Sequence, residues 1–227
     1  MKDTDSLRKD SMKAIAINGS PRKKWNTATL LESALSGCEA AGAETELVHL
    51  YDYAYQGCSS CFNCKKIGGK SYGCCATRDE LSPVLDRALQ ADILLLGSPI
   101  YFHTETGEMR SFMERLIFPN LSYTPGHASI FPRKTQTGLI YTMNVTEAQM
   151  PAYNQDASVA ASQRTMARIF GSSEVLLSTD TYQFKDYSKY LTTGWDADAK
   201  ARRRKDVFPQ DCERAYELGA RLTAVAR

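Results

Sequence analysis

The chain has 227 residues, 43% of them hydrophobic and 24% charged. At about 150 residues per domain that length implies one large domain, 1–227, and the composition excludes a disordered chain, which lacks the apolar surface to offset its ordering entropy. Lys and Arg number 28 against 26 Asp and Glu, a formal charge of +2, so no nucleic-acid or membrane-surface partner is expected.

Residues 1–12 are charged and lack an apolar stretch. They read as a flexible tail and not as a signal peptide. Ala14 to Ile17 is a short buried-strand pattern ending at Asn18-Gly19. Leu30, Leu31, Ala34, Leu35, Cys38 and Ala41 then recur at helical spacing, with Gly42 as the stop. Glu46 to Leu50 reads as a second strand, and 51–79 as a cysteine-rich loop. A helix over Glu80 to Gln90 leads into a fully buried strand, Asp92 to Gly97. Its core, Ile93 to Leu96, is the most apolar run of the chain and is far too short to span a bilayer. Gly107 to Phe118 reads as a helix, Thr137 to Met143 as a fourth strand, 152–170 as a helix, and Glu174 to Ser178 as a fifth strand. Segments 119–134 and 180–207 read as irregular excursions, and Asp211 to Val225 as a closing helix. Single helices between strands imply parallel βαβ units with both sheet faces covered. The expected fold is α/β: a flavodoxin-like, doubly wound, five-stranded parallel sheet of order 2-1-3-4-5.

In such sheets ligands sit beyond the carboxyl ends of the strands. The loop after strand 1, from Asn18 to Leu30, holds Arg22, Lys23 and Lys24, several hydroxyl and amide side chains, and no carboxylate before Glu32. It leads into a helix N-terminus, where free N–H groups favour an anion, typically a phosphate. The competing reading is a surface turn in which Thr and Asn serve as helix caps. No G-x-G-x-x-G and no G-x-x-x-x-G-K-[ST] occurs, which excludes the dinucleotide fingerprint and the Walker loop. The loop lacks the cysteine of a phosphatase, and no acidic cluster ends strand 1. After strand 3, Gly97-Ser98-Pro99-Ile100-Tyr101-Phe102 offers two aromatics on a proline-stiffened backbone. It can border a planar heterocycle or simply pack into the core.

Three stretches together, NGSPRKKWNTATLL, GCSSCFNCKKIGGKSYGCCATRDEL and ADILLLGSPIYFHTETGEMRSFMERL, resemble the flavodoxin-like FMN reductases, in particular their iron–sulfur flavoprotein branch. The resemblance continues weakly through 180–220. It implies that Ser20, Arg22, Asn26 and Thr27 hold an FMN phosphate and that Pro99, Ile100, Tyr101 and Phe102 border the isoalloxazine. Met143 and Asn144, after strand 4, would complete the ring site. Trp25 stands where the family usually has glycine.

Five of the seven cysteines lie between positions 58 and 75. Cys58, Cys61 and Cys64 form C-x2-C-x2-C, followed by Cys74-Cys75. Such runs suit a [4Fe–4S] cluster, a four-thiolate zinc site, or free thiols in a loop. By resemblance to the family's cluster motif, the ligands would be Cys58, Cys61, Cys64 and Cys75, with Asp79 four residues beyond the last. The gap from Cys64 to Cys75 is longer than the compact form of the motif. Cys38 and Cys212 sit at helical core positions. His49 reads as structural and His127 as exposed, and His103, beside the expected ring loop, reads as a solvated histidine or a group tuning the ring or meeting substrate. Tyr182, Tyr187 and Tyr190 can cover a cofactor or form a subunit contact. Arg202 to Lys205, flanked by Asp196, Asp198 and Asp206, reads as a solvated helix or loop face, with an anion patch as the alternative.

The resemblance implies an FMN-dependent oxidoreductase taking electrons from NAD(P)H and reducing flavin, quinone or a similar small acceptor; with no targeting or membrane-spanning pattern in the sequence, the expected location is the cytoplasm. The alternative it carries is an electron carrier linking a ferredoxin-like protein, a [4Fe–4S] cluster and FMN. Homodimers or homotetramers are implied in either case.

Overall fold

A computed structural model of the chain describes residues 11–227. The tail assigned to 1–12 therefore lies outside the described residues up to position 10, and Met12 already belongs to the first strand. In chain order the elements are β1 (Met12–Asn18), α1 (Asn26–Ala40), β2 (Ala43–His49), α2 (Ser82–Gln90), β3 (Ile93–Tyr101), β4 (Thr104–Glu105), α3 (Gly107–Ile117), β5 (Gln136–Thr142), α4 (Gln155–Phe170), β6 (Glu174–Ser178), α5 (Ala197–Asp206) and α6 (Phe208–Ala226).

The parallel sheet runs β2-β1-β3-β5-β6, and the two-residue β4 pairs antiparallel with the end of β3. This is the expected flavodoxin-like order with a sixth, short strand added. Successive strand residues point to opposite faces, and the core divides accordingly. Ile15, Ile17, Leu94, Leu96, Leu139 and Tyr141 pack under α2, α3 and α4. Ala14, Ala16, Ile93, Leu95 and Ile140 pack under α1 and α6. Two apolar faces explain why these strands read as continuous hydrophobic runs.

Helices α1 and α6 touch backbone to backbone. A Cβ on Gly37 would lie 2.0 Å from the Tyr216 carbonyl oxygen, and one on Gly219 would lie 1.9 Å from that of Ala34. The Cys38 thiol, fully buried as its spacing implied, donates to the Gly219 carbonyl at 3.4 Å.

Three boundaries differ from expectation. Helix α1 starts at Asn26 and not near Leu30. Strand β3 continues through Tyr101, so Pro99 to Tyr101 are strand residues. Pro99 is tolerated because β1 stops pairing with β3 at Gly97. The excursion at 180–207 contains α5, whose N-cap Asp196 accepts from the N–H groups of Asp198 and Ala199 at 2.9 Å.

Candidate functional site

At the carboxyl end of the sheet, fully buried Asn18 organises the β1–α1 loop. Its Oδ1 accepts from the Ser20 N–H at 3.0 Å, and its Nδ2 donates to His49 Nδ1 at 2.9 Å. His49 is thus a structural partner. The Ser20 hydroxyl accepts from the Arg22 N–H, and Gly19 donates to the Gly97 carbonyl at 2.8 Å. The chain then enters α1 with Asn26, Thr27 and Ala28 buried. Trp25 at the N-cap supplies no side-chain acceptor, and the first turn holds no acidic residue. The first-turn N–H groups therefore have no intrahelical partner. A buried, uncapped helix start beside a serine hydroxyl and an arginine fits the phosphate of FMN. The Thr27 hydroxyl bonds that of Thr142 on β5 at 2.9 Å, which fixes this turn to the sheet.

A cavity of about 190 Å³ opens here, and it gathers Ser20, Arg22, Asn26, Thr27, Pro99 and Tyr101. Ile100 is not among them. Alternation along β3 turns it to the opposite face, where it packs against the core under α2 to α4. Phe102 is 97% exposed, at the tip of the β3–β4 hairpin. With His103 it forms a two-residue turn in which both residues have positive φ, 47° and 75°, the twist favoured in tight hairpins. His103 stacks on Tyr153, ring centroids 6.0 Å apart. Asn144 also lies away from this cavity. It borders a separate hollow with Asp180, Trp195 and Lys200, and its carbonyl accepts from Lys200 Nζ at 2.9 Å.

Of the fourth wall, the sequence offered only Tyr182, as a cofactor cover or a subunit contact. Thr181, Tyr182, Gln183 and Phe184, following β6, close the cavity. Their carbonyls are the anchors: Tyr182 O accepts from Trp25 Nε1 at 3.1 Å and Asn26 Nδ2 at 2.9 Å, and Gln183 O accepts from Arg22 Nη1 at 2.5 Å. Trp25, in a position the family usually gives to glycine, therefore ties down this strap. The arginine run also has a role its charge pattern concealed. Arg204 donates to Asn26 Oδ1 at 2.7 Å and lies 4.0 Å over the Phe208 ring, while Arg203 pairs with buried Asp211 at 2.5 Å. Arg203 and Arg204 are anchors, and only Arg202 and Lys205 face solvent.

The hairpin carrying Tyr101 is held by a buried carboxylate, Glu105. It accepts from Tyr141 Oη at 2.5 Å, Ser162 Oγ at 2.7 Å and Thr104 Oγ1 at 2.7 Å. Burial opposes its ionisation, but these donors outweigh burial and hold its pKa below the usual carboxylate range. Burial, reinforced by the Glu105 charge, pushes the Tyr141 hydroxyl up. A depressed folded pKa contributes stability above the unfolded value near about 4.3, lost as pH falls through the folded value. We expect Glu105→Gln to lose about 1.5 kcal/mol at pH 7 and to show a shallower loss of stability below about pH 4.5 than the parent. Urea midpoints measured from pH 3 to 8 check this, and parallel profiles would reject the assignment.

The cysteine loop hangs beside α3. Arg115, fully buried on α3, clamps its two ends: Nη1 and Nη2 grip Asp79 at 2.5 and 2.9 Å, and the guanidinium also donates to the carbonyls of Gln56 and Thr77 at 3.1 and 3.3 Å. Glu114 accepts from the Cys58 N–H at 3.0 Å. Cys58 and Cys61 are exposed, Cys64 is buried, and Cys75 is partly buried beside Arg115. Burial pushes the Cys64 thiol up. All seven cysteines are free thiols, and among the described residues no three His, Cys, Asp or Glu converge in a group that could hold a metal ion. The donor type suits a cluster, but this arrangement of the sulfurs does not form its cage.

The model of the NADPH-dependent FMN reductase family matches residues 12–172. An iron-sulfur flavoprotein of Archaeoglobus fulgidus is 38% identical over 104 residues, 46% of this chain and 48% of that protein. The chain thus spans about half the length of the curated relatives it matches. Among solved structures, an NAD(P)H:quinone oxidoreductase from Methanothermobacter marburgensis superposes with a TM-score of 0.67 at 14% identity, covering 93% of this chain and 99% of that one. An FMN-dependent NADH-azoreductase from Bacillus anthracis in complex with FMN gives 0.66 at 13%, with coverage of 93% and 99%. At such identities these two likenesses establish the fold. The family match covers both the start of α1 and the Pro99–Tyr101 wall, and this chain belongs to the NADPH-dependent FMN reductase family.

Proposed function

We propose that the chain is an FMN-dependent oxidoreductase that takes electrons from NAD(P)H and passes them to flavin, quinone or a similar small acceptor. The observation that carries this reading is the buried, uncapped start of α1, placed beside Ser20, Arg22 and the Pro99–Tyr101 wall at the carboxyl end of the sheet. Bound FMN would supply one- and two-electron transfer. The chain's own residues then bind and orient it. Ser20, Arg22 and the first turn of α1 would hold the phosphate, with Asn26 and Thr27 fixing that turn. Pro99 and Tyr101 would border the ring, and Phe102 at the exposed hairpin tip would reach it from outside the cavity. The strap at 181–184 would keep water from the phosphate side. Arg22→Ala removes a charge-assisted contact worth about 1.5–3 kcal/mol, so FMN should bind roughly ten- to a hundredfold more weakly. Unchanged affinity by fluorescence titration would reject Arg22 as a phosphate ligand.

A second reading is favoured by the thiol-rich loop and by curated relatives named iron-sulfur flavoproteins. In it Cys58, Cys61, Cys64 and Cys75 would hold a [4Fe–4S] cluster, and the chain would exchange electrons with a ferredoxin-like protein. In both readings the expected assembly is a homodimer or homotetramer in the cytoplasm, a single domain throughout. No helix among the described residues is long and apolar enough to cross a membrane.

The visible spectrum of protein purified without oxygen, with iron and sulfide assayed on the same sample, separates the two. Flavin bands alone support the reductase. Flavin bands over a broad absorption, with about four irons per chain, support the carrier. Neither chromophore after adding FMN would overturn the flavin site.

A further inference from the structure

The hollow that Asn144 borders measures about 510 Å³, within the range used for small molecules. It has no lining residue in common with the Ser20–Phe184 cavity. It too lies at the carboxyl end of the sheet, where open α/β folds place their ligands. Asp180 follows β6, and its N–H donates to the Val145 carbonyl beyond β5 at 2.8 Å. Facing it is α5, with Asp196 at its cap and Lys200 one turn further on.

Lys200 is the one residue that α5 buries, and a buried ammonium is tolerated only when it is paired. Its Nζ donates to the Asn144 carbonyl at 2.9 Å and to Asp180 Oδ1. An ammonium has three donors, so one is left without an acceptor among the described residues. Asp180 Oδ2 likewise accepts from no donor among them. An unspent donor and an unspent acceptor thus stand together on an ion pair of zero net charge. The other charged residue of the walls, Asp196, spends its Oδ1 on the N–H groups of Asp198 and Ala199. Two flat rings, Trp195 and Tyr153, complete the walls at 40% and 45% exposure. An anion would meet two carboxylates here, and a cation would meet the buried ammonium. What fits is uncharged and flat, with an acceptor and a donor along one edge.

We propose that this hollow binds a ring lactam, an uncharged aromatic heterocycle whose C=O and N–H lie side by side. Lys200 donates to its carbonyl, Asp180 Oδ2 accepts from its N–H, and Trp195 and Tyr153 flank its faces. The site stands apart from the flavin reading, because the two hollows are built from different residues.

The probes are 4-quinazolinone and its N3-methyl derivative, which keeps the ring and the carbonyl but has no N–H. They are titrated by calorimetry into the purified protein with FMN in excess, because the flavin ring is itself a lactam. The parent should bind the N–H form about tenfold or more tightly than the methyl form, which leaves the carboxylate oxygen without its donor. Asp180→Asn puts an N–H donor where Oδ2 accepts, and asparagine tolerates the left-handed backbone of this position, φ 53°. That variant should lose the preference. Trp195→Ala should weaken both probes about tenfold by removing a stacking face and keep the preference. Equal affinity of the two probes in the parent, a preference that survives in Asp180→Asn, or binding unchanged in Trp195→Ala would overturn the proposal. If Asp180→Asn does not fold, the parent and Trp195→Ala decide between these outcomes. Binding seen only when FMN is left out places the lactam in the flavin cavity and also overturns it. Protein that takes up no FMN yet shows the preference would reject the flavin reading and leave the lactam site standing.

Discussion

Arg115→Ala should destabilise the protein by about 3–5 kcal/mol, the range for removing one partner of a buried ion pair. The guanidinium has no exposed surface, while Asp79 retains 20%. Truncation therefore leaves a mostly buried carboxylate with both guanidinium donors gone. It also frees the carbonyls of Gln56 and Thr77, both held by Arg115. Burial of Asp79 opposes its charge, and the hydrogen bonds and charge of Arg115 outweigh it, lowering its pKa. Without Arg115 only the Leu81 N–H and the Ser82 hydroxyl remain to oppose the effect of burial. The parent's contribution from Asp79 is present above the unfolded value near about 3.9 and is lost as pH falls through the lower folded value. The variant should therefore lose less stability on acidification. Arg115→Lys keeps a charge but not the two-pronged grip, and should fall between. Urea unfolding at pH 7 and pH 4 checks both statements, and a loss under 1 kcal/mol would show that Arg115 does not clamp the loop.

Gly219→Val should cost about 3 kcal/mol, the upper end for overpacking a core, and should do so without touching any site residue. The nearest obstacle to a new side chain is the Ala34 carbonyl at 1.9 Å, with the Cys38 sulfur next at 3.1 Å. Backbone cannot rotate aside as a side chain can, so α1 and α6 must separate. Gly107→Ala, where a Cβ meets nothing within 4 Å, should be nearly neutral. Thermal melts of the two variants measure the contrast. A melting temperature for Gly219→Val within two degrees of the parent would reject the close packing of these helices.

The sheet was legible because its strands are buried on both faces, so β1 and β3 show as apolar runs with β-branched content and little ambiguity. The β1–α1 loop stood out for a different reason: it combines cations, hydroxyls and an absence of carboxylates in one short segment before a helix. Ile100 shows where the reading ran out. Its neighbours Pro99 and Tyr101 line the cavity, but β3 runs two residues past Pro99 and alternation sends Ile100 the other way. Tyr182 was named as a cofactor cover or a subunit contact, but the strap's anchoring was invisible because it is held by its carbonyls, which every residue has. Helix α5 read as part of an irregular excursion because its residues are charged or alanine and it buries only Lys200, leaving no apolar period to find. Its Asp196 cap was the available signal. Asp79 was read only as a feature of a cysteine motif, whereas its partner lies 36 residues away on α3, a distance no local pattern spans.

The contact between Cys38 and Gly219 joins positions 181 residues apart, and it lies beyond the part of the chain that the family model matches. Residues 12–172 contain the β1–α1 loop and Pro99–Tyr101 but lack α6, which covers the side of α1 that carries Gly37 and Cys38. That segment carries the recognisable signature and yet should not fold as a unit. As a nascent chain leaves the ribosome, that side of α1 must stay uncovered until nearly all the rest has been made. Closing so long a loop is entropically slow. Capture of FMN by the start of α1 should accordingly be among the last events of folding, and truncation before α6 should yield aggregation and not a smaller flavoprotein.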